Sequence, residues 1–329
     1  YNKDGVASIW DIEQEKAVYT TQDRYLDIID IDVQNTKLAF STRYGEVGVY
    51  DIVQKKEYSS FKFQKSEKII VSNNRKFIAY ILEDYNSVIR DIKTGKIIRY
   101  VFQSNNKTKS TGSFSFDDRY FTSNFGGSIF FHDLKTKDSE PIGVKIKDRL
   151  TSIYNHVRST NCVEFGKTKD MLISAGEDKV IIVWENIIKD LDKEDKDFYK
   201  LEGHKNPIVR IAISSDDRFL ASADRKSNIK IWNLSTKENI TTIKERNQQI
   251  RDLKFGKDDR LFVTSNNYLK VWNYKTGSEI HTFTVKPSSM DLSPDKNRLV
   301  TSDCNGTIQL WDLTHFNQLS IITGHKGCV

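Results

Sequence analysis

The chain has 329 residues, 37% hydrophobic and 29% charged, which is typical of a folded globular protein and argues against wholesale disorder. Lys and Arg number 51 against 45 Asp and Glu, and the resulting charge of +6 is spread along the chain rather than gathered in a nucleic-acid-binding arm. Three widely separated cysteines argue against a disulfide framework or zinc module and favour a cytoplasmic or nuclear location, and no apolar run is long enough to span a membrane.

One short pattern recurs along the whole chain: alternating apolar residues, then an aromatic residue or its substitute, then an acidic residue or Asn. In chain order it reads SIWDI, GVYDI, VIRDI, FFHDL, IVWEN, KIWNL, KVWNY and QLWDL. The aromatic position falls at intervals of 39 to 52 residues, at Trp10, Tyr50, Arg90, His132, Trp184, Trp232, Trp272 and Trp311. Eight occurrences at a near-constant interval indicate an internal repeat.

The repeats are built from short segments of alternating apolar and polar residues, bounded by Asp, Asn or Gly turns. Residues 96–102, 211–222 and 252–265 are examples, and no long window has a helical period. Four such strands in about 40 residues are typical of one blade of a β-propeller. The sequence therefore predicts an all-β propeller of about eight four-stranded blades over residues 1–329, with seven as the alternative number. The repeat aromatic is expected on the third strand of each blade.

Two repeats carry further residues that point to a known family. One contains Gly203-His204, Ser222 and Trp232-Asn233; the other contains His156, Ser174, Asp178 and Trp184-Glu185. In both, His precedes Trp by 28 residues. These residues match the GH…S…WD frame of the WD40-repeat family, which the chain resembles over essentially its whole length. The resemblance implies a propeller that serves as a scaffold for protein partners.

The same resemblance implies a polar network inside the blades. In this family a buried His, Ser or Thr, Asp and Trp are linked by hydrogen bonds, because a buried indole N–H needs an acceptor. The resemblance assigns these roles to His156, Ser174, Asp178 and Trp184. The next repeat has His204, Ser222 and Trp232, but Lys226 stands where Asp is expected, which predicts an incomplete network there.

The chain begins and ends inside repeats. Residues 324–329 (GHKGCV) match the start of a repeat that Trp10 could finish. Either both termini build one blade, or the domain continues into further repeats of a longer protein. Two segments are longer than their counterparts, 143–160 and 186–199. The second is interpreted as a solvated loop, with partner docking as the alternative.

Sequence motifs of catalysis are missing. The chain has no GxxxxGK[ST], GxGxxG, HExxH or GxSxG motif. Three of the six histidines, at 156, 204 and 325, occupy equivalent repeat positions, as structural residues would. We therefore expect no catalytic residue, no metal, no cofactor, no small-molecule substrate and no membrane association.

The hypothesis favoured by these features is a non-enzymatic scaffold that binds other proteins or peptides within a multiprotein complex. The alternative is a subunit of a ribonucleoprotein assembly complex, as in ribosome biogenesis, whose basic surface contacts RNA. The charge of +6 permits RNA binding but does not indicate it. An enzyme that uses a central channel is the third and weakest hypothesis.

The WD40 resemblance also implies a binding face. It is formed by the loops that enter the first strand of each blade and by the residue just before the repeat Asp, the position that Asp178 occupies in its repeat. Carried over by spacing, the candidate partner-binding residues are Tyr25, Arg43, Phe125, Arg225 and Arg251. Aromatic residues and arginines are the types enriched in interaction hot spots. The two long segments are the alternative docking surface.

Overall fold

The computed structural model describes residues 8–11, 16–20, 26–31, 37–42, 46–51, 56–62, 66–74, 76–82, 87–101, 112–125, 128–135, 144–146, 149–151, 153–154, 156, 158–191, 197–245, 249–293, 295–305 and 307–323. These residues form β-strands and turns, with no α-helix among them. The chain divides into two compact units, one of residues 1–69 and 248–329, the other of residues 70–247.

In the unit of residues 1–69 and 248–329, β1 (Ser8–Asp11) and β2 (Lys16–Thr20) form a two-stranded sheet. Three four-stranded antiparallel sheets follow. They are sheet I with β3 (Leu26–Ile31), β4 (Lys37–Thr42), β5 (Glu46–Asp51) and β6 (Lys56–Lys62); sheet VI with β25 (Ile250–Phe255), β26 (Arg260–Ser265), β27 (Leu269–Asn273) and β28 (Glu279–Phe283); and sheet VII with β29 (Ser289–Leu292), β30 (Arg298–Ser302), β31 (Thr307–Asp312) and β32 (Asn317–Thr323).

The remaining four-stranded sheets lie in the unit of residues 70–247, whose boundary runs through β7. They are sheet II with β7 (Ser66–Val71), β8 (Phe77–Leu82), β9 (Ser87–Asp91) and β10 (Ile97–Val101); sheet III with β11 (Gly112–Phe114), β12 (Tyr120–Phe125), β13 (Ser128–Asp133) and β16 (Ile153–Tyr154); sheet IV with β17 (Thr160–Phe165), β18 (Met171–Gly176), β19 (Ile181–Glu185) and β20 (Phe198–Leu201); and sheet V with β21 (Ile208–Ile213), β22 (Phe219–Asp224), β23 (Asn228–Asn233) and β24 (Glu238–Lys244).

The repeat aromatic stands on the third strand of all seven four-stranded sheets, which confirms the strand order predicted from the repeat. Trp10 stands on β1, in the two-stranded sheet. Residues 1–7 and 324–329, and with them the question of how the termini complete a blade, lie outside the described part of the chain.

Apolar layers between consecutive sheets form the core. Trp232 of sheet V packs in one cluster with Ile173 and Val183 of sheet IV. Every residue of β18 is buried, because both faces of this strand are covered. In the other unit, the Trp311 ring of sheet VII meets the Phe283 ring of sheet VI edge-on at 4.9 Å.

Aspartates also join consecutive sheets. The Asp217 carboxylate, in the first turn of sheet V, accepts backbone N–H bonds at 2.7, 2.7 and 2.9 Å from Lys167, Thr168 and Lys169 in the first turn of sheet IV. Asp118 of sheet III does the same for Asn73 and Asn74 of sheet II. Both aspartates have positive φ, 55° and 54°, which Asp tolerates better than most residues. These two turn aspartates therefore also connect consecutive sheets.

The two long segments are more ordered than the sequence suggested. Within 143–160, β14 (Val144–Ile146) and β15 (Arg149–Thr151) pair with each other, and β16 is the outer strand of sheet III. Within 186–199, the first residues form a turn in which Ile187 and Leu191 are buried. Asp170 holds this turn by accepting N–H bonds from Ile188 and Lys189. The interpretation of 186–199 as a solvated loop is wrong for residues 186–191.

Two cysteines are described. Cys162 is a buried thiol on β17. Cys304 is disulfide-bonded. The wide spacing of the cysteines gave no indication of this bond, because spacing along the chain does not determine proximity in the fold.

Candidate functional site

The polar networks depend on one position of the second strand, which we call the acceptor position. In every four-stranded sheet it pairs with the residue two places before the repeat aromatic. It is occupied, from sheet I to sheet VII, by Phe40, Tyr80, Ser123, Ser174, Ser222, Val263 and Thr301. This position can provide an acceptor to a buried donor on the third strand only where its residue is polar.

Sheet V holds the most continuous network. Trp232 Nε1 donates to Ser222 Oγ at 2.9 Å, and Ser222 Oγ lies 2.7 Å from His204 Nε2. The Ser222 oxygen accepts the indole N–H, so the Ser222 hydroxyl proton is available for His204 Nε2. In that arrangement the imidazole proton lies on Nδ1. That atom faces Asp224 Oδ2 at 3.5 Å. The Asp224 carboxylate stands two residues before Lys226, but His204 Nδ1 has no hydrogen-bond partner among the described residues, so the network is incomplete, as predicted.

The titration of this pair follows from its burial. Burial lowers the pKa of His204, and the neighbouring Asp224 offsets only part of that effect. Burial works against ionisation of Asp224, yet hydrogen bonds from Asn228, Asn206 and Lys226 hold its pKa below the usual value. The Asp224 carboxylate is therefore a fixed negative charge beside a neutral imidazole.

Sheet IV brings together three of the four predicted residues. His156 Nδ1 lies 2.7 Å from Asp178 Oδ2, and its Nε2 lies 2.6 Å from Ser174 Oγ. Trp184 Nε1 has no hydrogen-bond partner among the described residues, so its predicted place in the network is wrong. A β-bulge interrupts the pairing at Trp232 and at Trp311, whereas Trp184 pairs regularly with Phe198. Its indole is fully buried in an apolar cluster with Ile187 and Leu191.

Other sheets use different residue pairs at the same two positions. Trp311 Nε1 donates to Thr301 Oγ1 at 3.1 Å, and His132 Nε2 lies 2.9 Å from Ser123 Oγ. In sheet II the Arg90 Nε donates to the Tyr80 hydroxyl. Arg90 therefore replaces the repeat Trp as a buried hydrogen-bond donor. Burial raises the pKa of Tyr80 to about 12 although Arg90 opposes this. In sheet VI the acceptor position holds Val263, which offers no acceptor, and Trp272 Nε1 has no hydrogen-bond partner among the described residues.

Stability is expected to depend on pH through His132. Burial, with a further contribution from the Arg99 charge, lowers the pKa of His132 to about 3. In the unfolded chain this group binds a proton below about pH 6.5. Its contribution to stability is thus fully present above pH 6.5 and is lost as the pH falls toward 3, by about 1.4 kcal/mol per pH unit.

Urea unfolding at pH 7 and pH 5 tests this expectation. The wild-type chain should lose about 2 kcal/mol more than the His132→Gln variant between these pH values. Glutamine keeps a polar group near Ser123 without a titrating ring. An equal loss in both proteins would show that His132 does not cause the loss of stability between pH 7 and pH 5.

At one end of sheets IV and V, polar side chains from neighbouring turns are tied together. We call the end that carries the turns 177–180 and 225–227 the upper end. Arg225 forms an ion pair with Glu177, and Glu177 Oε1 also accepts from Asn161 Nδ2 at 3.1 Å. Asn161 in turn donates to the Ile208 carbonyl at 2.9 Å. The Arg225 side chain remains 57% exposed, so it is positioned and accessible.

The structure places the remaining candidate partner-binding residues as follows. Arg251 is exposed on β25, and its Nε donates to Asn266 Oδ1 at 2.5 Å. Phe125 ends β12, where its backbone pairs with Ser128. Tyr25 and Arg43 lie outside the described residues. Glu177 and Asn161 belong to the Arg225 cluster, and only the fold showed that they meet Arg225.

No group of three or more His, Cys, Asp or Glu side chains in the described part of the chain is arranged to hold a metal ion. Within the same residues, no helix has the length and hydropathy to cross a membrane.

Comparison with solved structures identifies the fold. The crystal structure of the computationally designed Ika8 protein superimposes with a TM-score of 0.71 at 18% identity, covering 93% of this chain and 89% of that one. A chain in the crystal structure of the Mitotic Checkpoint Complex gives 0.66 at 18% identity, covering 89% and 88%. The fold class is the WD40 β-propeller.

Sequence comparison finds WD40 repeats in part of the chain. The model "WD domain, G-beta repeat" matches residues 147–185, 196–233 and 277–312, and each match ends one residue after a repeat Trp. Apoptotic protease-activating factor 1 of Rattus norvegicus is 28% identical over 39% of this chain, and angio-associated migratory cell protein of Homo sapiens is 24% identical over 52%. The aligned regions span 10% and 39% of those relatives. The chain therefore carries WD40 repeats over these three stretches, and WD40 repeats generally indicate a scaffold for protein interaction.

Proposed function

We propose that this chain is a non-enzymatic platform that holds protein partners together in a multiprotein complex. The observation that carries the proposal is the upper end of sheets IV and V. There Arg225 is exposed but fixed by Glu177, and Asn161 links that pair to the next sheet. A side chain that is already positioned loses less conformational entropy on binding, which favours its use as an anchor.

The partner is expected to be a peptide or domain that contacts several sheets. Arg225 and Arg251 can each form paired hydrogen bonds to a carboxylate or a backbone carbonyl, and an aromatic residue such as Phe125 adds apolar contact. The Asn266 and Glu177 side chains that now contact these arginines set their orientation. Tyr25 and Arg43 complete the proposed contact set.

Affinity capture with a double variant tests the proposal. The Phe125→Ala, Arg251→Ala chain is expected to weaken partner binding by about 2 kcal/mol or more, roughly a thirty-fold loss of affinity. The matched control is Lys135→Ala with Lys169→Ala, two exposed residues at the opposite end of the strands. Thermal melts check that both variants fold.

Two results would contradict the proposal. The first is recovery of every partner by the folded double variant at wild-type yield. The second is that every protein recovered with the chain is lost when RNA is digested. Nuclease treatment and a salt series separate the second case, because RNA retention falls steeply with salt.

A further inference from the structure

The outer strand of sheet VII differs from the other outer strands. β32 (Asn317–Thr323) pairs only with β31 in the described part of the chain and contains no charged residue. The other outer strands of four residues or more in the four-stranded sheets all contain one, at positions that include Lys56 in β6, Arg99 in β10, Lys200 in β20, Glu238 in β24 and Glu279 in β28. A charge on an edge strand is a common protection against pairing with another chain.

The side chains of β32 are also unusually apolar. Leu319 is 47% exposed and Ile321 is 52% exposed. At the position of Ile321, sheets V and VI have Thr242 and Thr282, opposite Lys230 and Lys270. In sheet V, Lys230 Nζ donates to Thr242 Oγ1 at 3.1 Å. In sheet VII the opposing residue is Gln309, so the polar Lys–Thr cover is replaced by Gln and Ile.

We propose that β32 pairs antiparallel with β32 of a second copy of this chain about a two-fold axis. An edge strand has a row of backbone N–H and C=O groups without a strand partner, and another strand is the group that satisfies them in order. In a two-fold pairing each strand meets itself reversed, so a charged residue near the axis would face its own charge. β32 is free of that repulsion.

One register uses the exposed apolar residues best. Residues directly opposite in an antiparallel pair point to the same face of the sheet, and side chains alternate between the faces along a strand. Two opposite residues of identical strands must therefore both have odd numbers or both have even numbers. With Ile321 on the axis, Ile321 meets Ile321 of the second copy, and Leu319 lies diagonal to it. The pairing joins two four-stranded sheets into one of eight strands. An interface limited to one strand edge is small, so a micromolar dimer is expected.

Sedimentation velocity of the full chain from about 1 to about 200 µM tests the proposal. The wild type is expected to shift from monomer to dimer with concentration. Ile321→Lys and Ile321→Glu should each remain monomeric, because the axis places like charges together. An equimolar mixture of the two should restore the dimer. The control is Ile280→Lys, the same change at an exposed residue of β28 (40% exposed), which should dimerise like the wild type.

Several outcomes overturn the proposal. They are a wild type that stays monomeric throughout, a dimer that survives Ile321→Lys, or a mixture that stays monomeric. The proposal does not rest on the scaffold function, because Ile321→Lys leaves the upper end intact and should capture partners at wild-type yield.

Discussion

Asp217→Ala is expected to destabilise the chain by about 3–5 kcal/mol. The carboxylate is 1% exposed and accepts three backbone N–H bonds and the Thr168 hydroxyl, the last at 2.8 Å. Its removal leaves three N–H groups of the preceding sheet without an acceptor, and hydrogen bonds to a charged group contribute about 1.5–3 kcal/mol each. Water entering the gap recovers part of that sum.

The neighbouring residue provides the control for Asp217. Asp216 is exposed and bonds only within its own turn, to Ser214 Oγ at 2.6 Å and to the Arg218 N–H at 3.2 Å. Asp216→Ala is expected to cost about 1 kcal/mol. Urea unfolding of both variants measures the difference. Equal losses would show that the contact between sheets IV and V does not stabilise the fold.

Trp184→Ala is expected to cost about 3–5 kcal/mol, because it opens a cavity in a fully buried cluster. The loss comes from packing alone, since the indole N–H has no partner among the described residues. Trp232 differs in this respect, because its N–H donates to Ser222.

The comparison of two Trp→Phe variants separates packing from hydrogen bonding. Both changes remove similar volume, so Trp232→Phe should cost about 1 kcal/mol more than Trp184→Phe through the lost hydrogen bond. Denaturant melts of the two variants give that difference. A larger loss for Trp184→Phe would mean that its N–H is bonded in solution, and our account of sheet IV would fail.

The fold was predictable from sequence because the repeat is long and regular. Seven of the eight repeat positions lie on the third strand of a four-stranded sheet, even where Arg90 and His132 replace Trp. A strand repeat needs no knowledge of long-range contacts, since each blade pairs locally. The number of complete blades was not fixed in the same way, because it depends on how the chain ends are completed.

The polar networks were predictable only in part. The WD40 resemblance correctly joined His156 with Ser174 and His204 with Ser222. Motif spacing could not show that Asp224 is the carboxylate nearest to His204, or that Trp184 pairs without a bulge. Both depend on the local backbone path, which a one-residue change in a turn alters.

The contacts between sheets could not be predicted from the sequence. Asp217 reads as an ordinary turn residue, and its bonds to residues about 50 positions earlier depend on how sheets stack. The same is true of the Arg225–Glu177 pair. For the turn at 186–191, the apolar residues Ile187 and Leu191 were the available signal, since buried side chains are unusual in a solvated loop.

The most direct test of the scaffold function is cross-linking mass spectrometry on the chain purified with its bound partners. At the upper end of sheets IV and V the exposed lysines are Lys179, Lys205 and Lys226; the turns at the opposite end of the strands carry Lys135, Lys169 and Lys189. A partner docked as proposed should cross-link to the first set and leave the second largely free. Cross-links confined to the second set, or a purified chain with no protein bound, would contradict the proposed function.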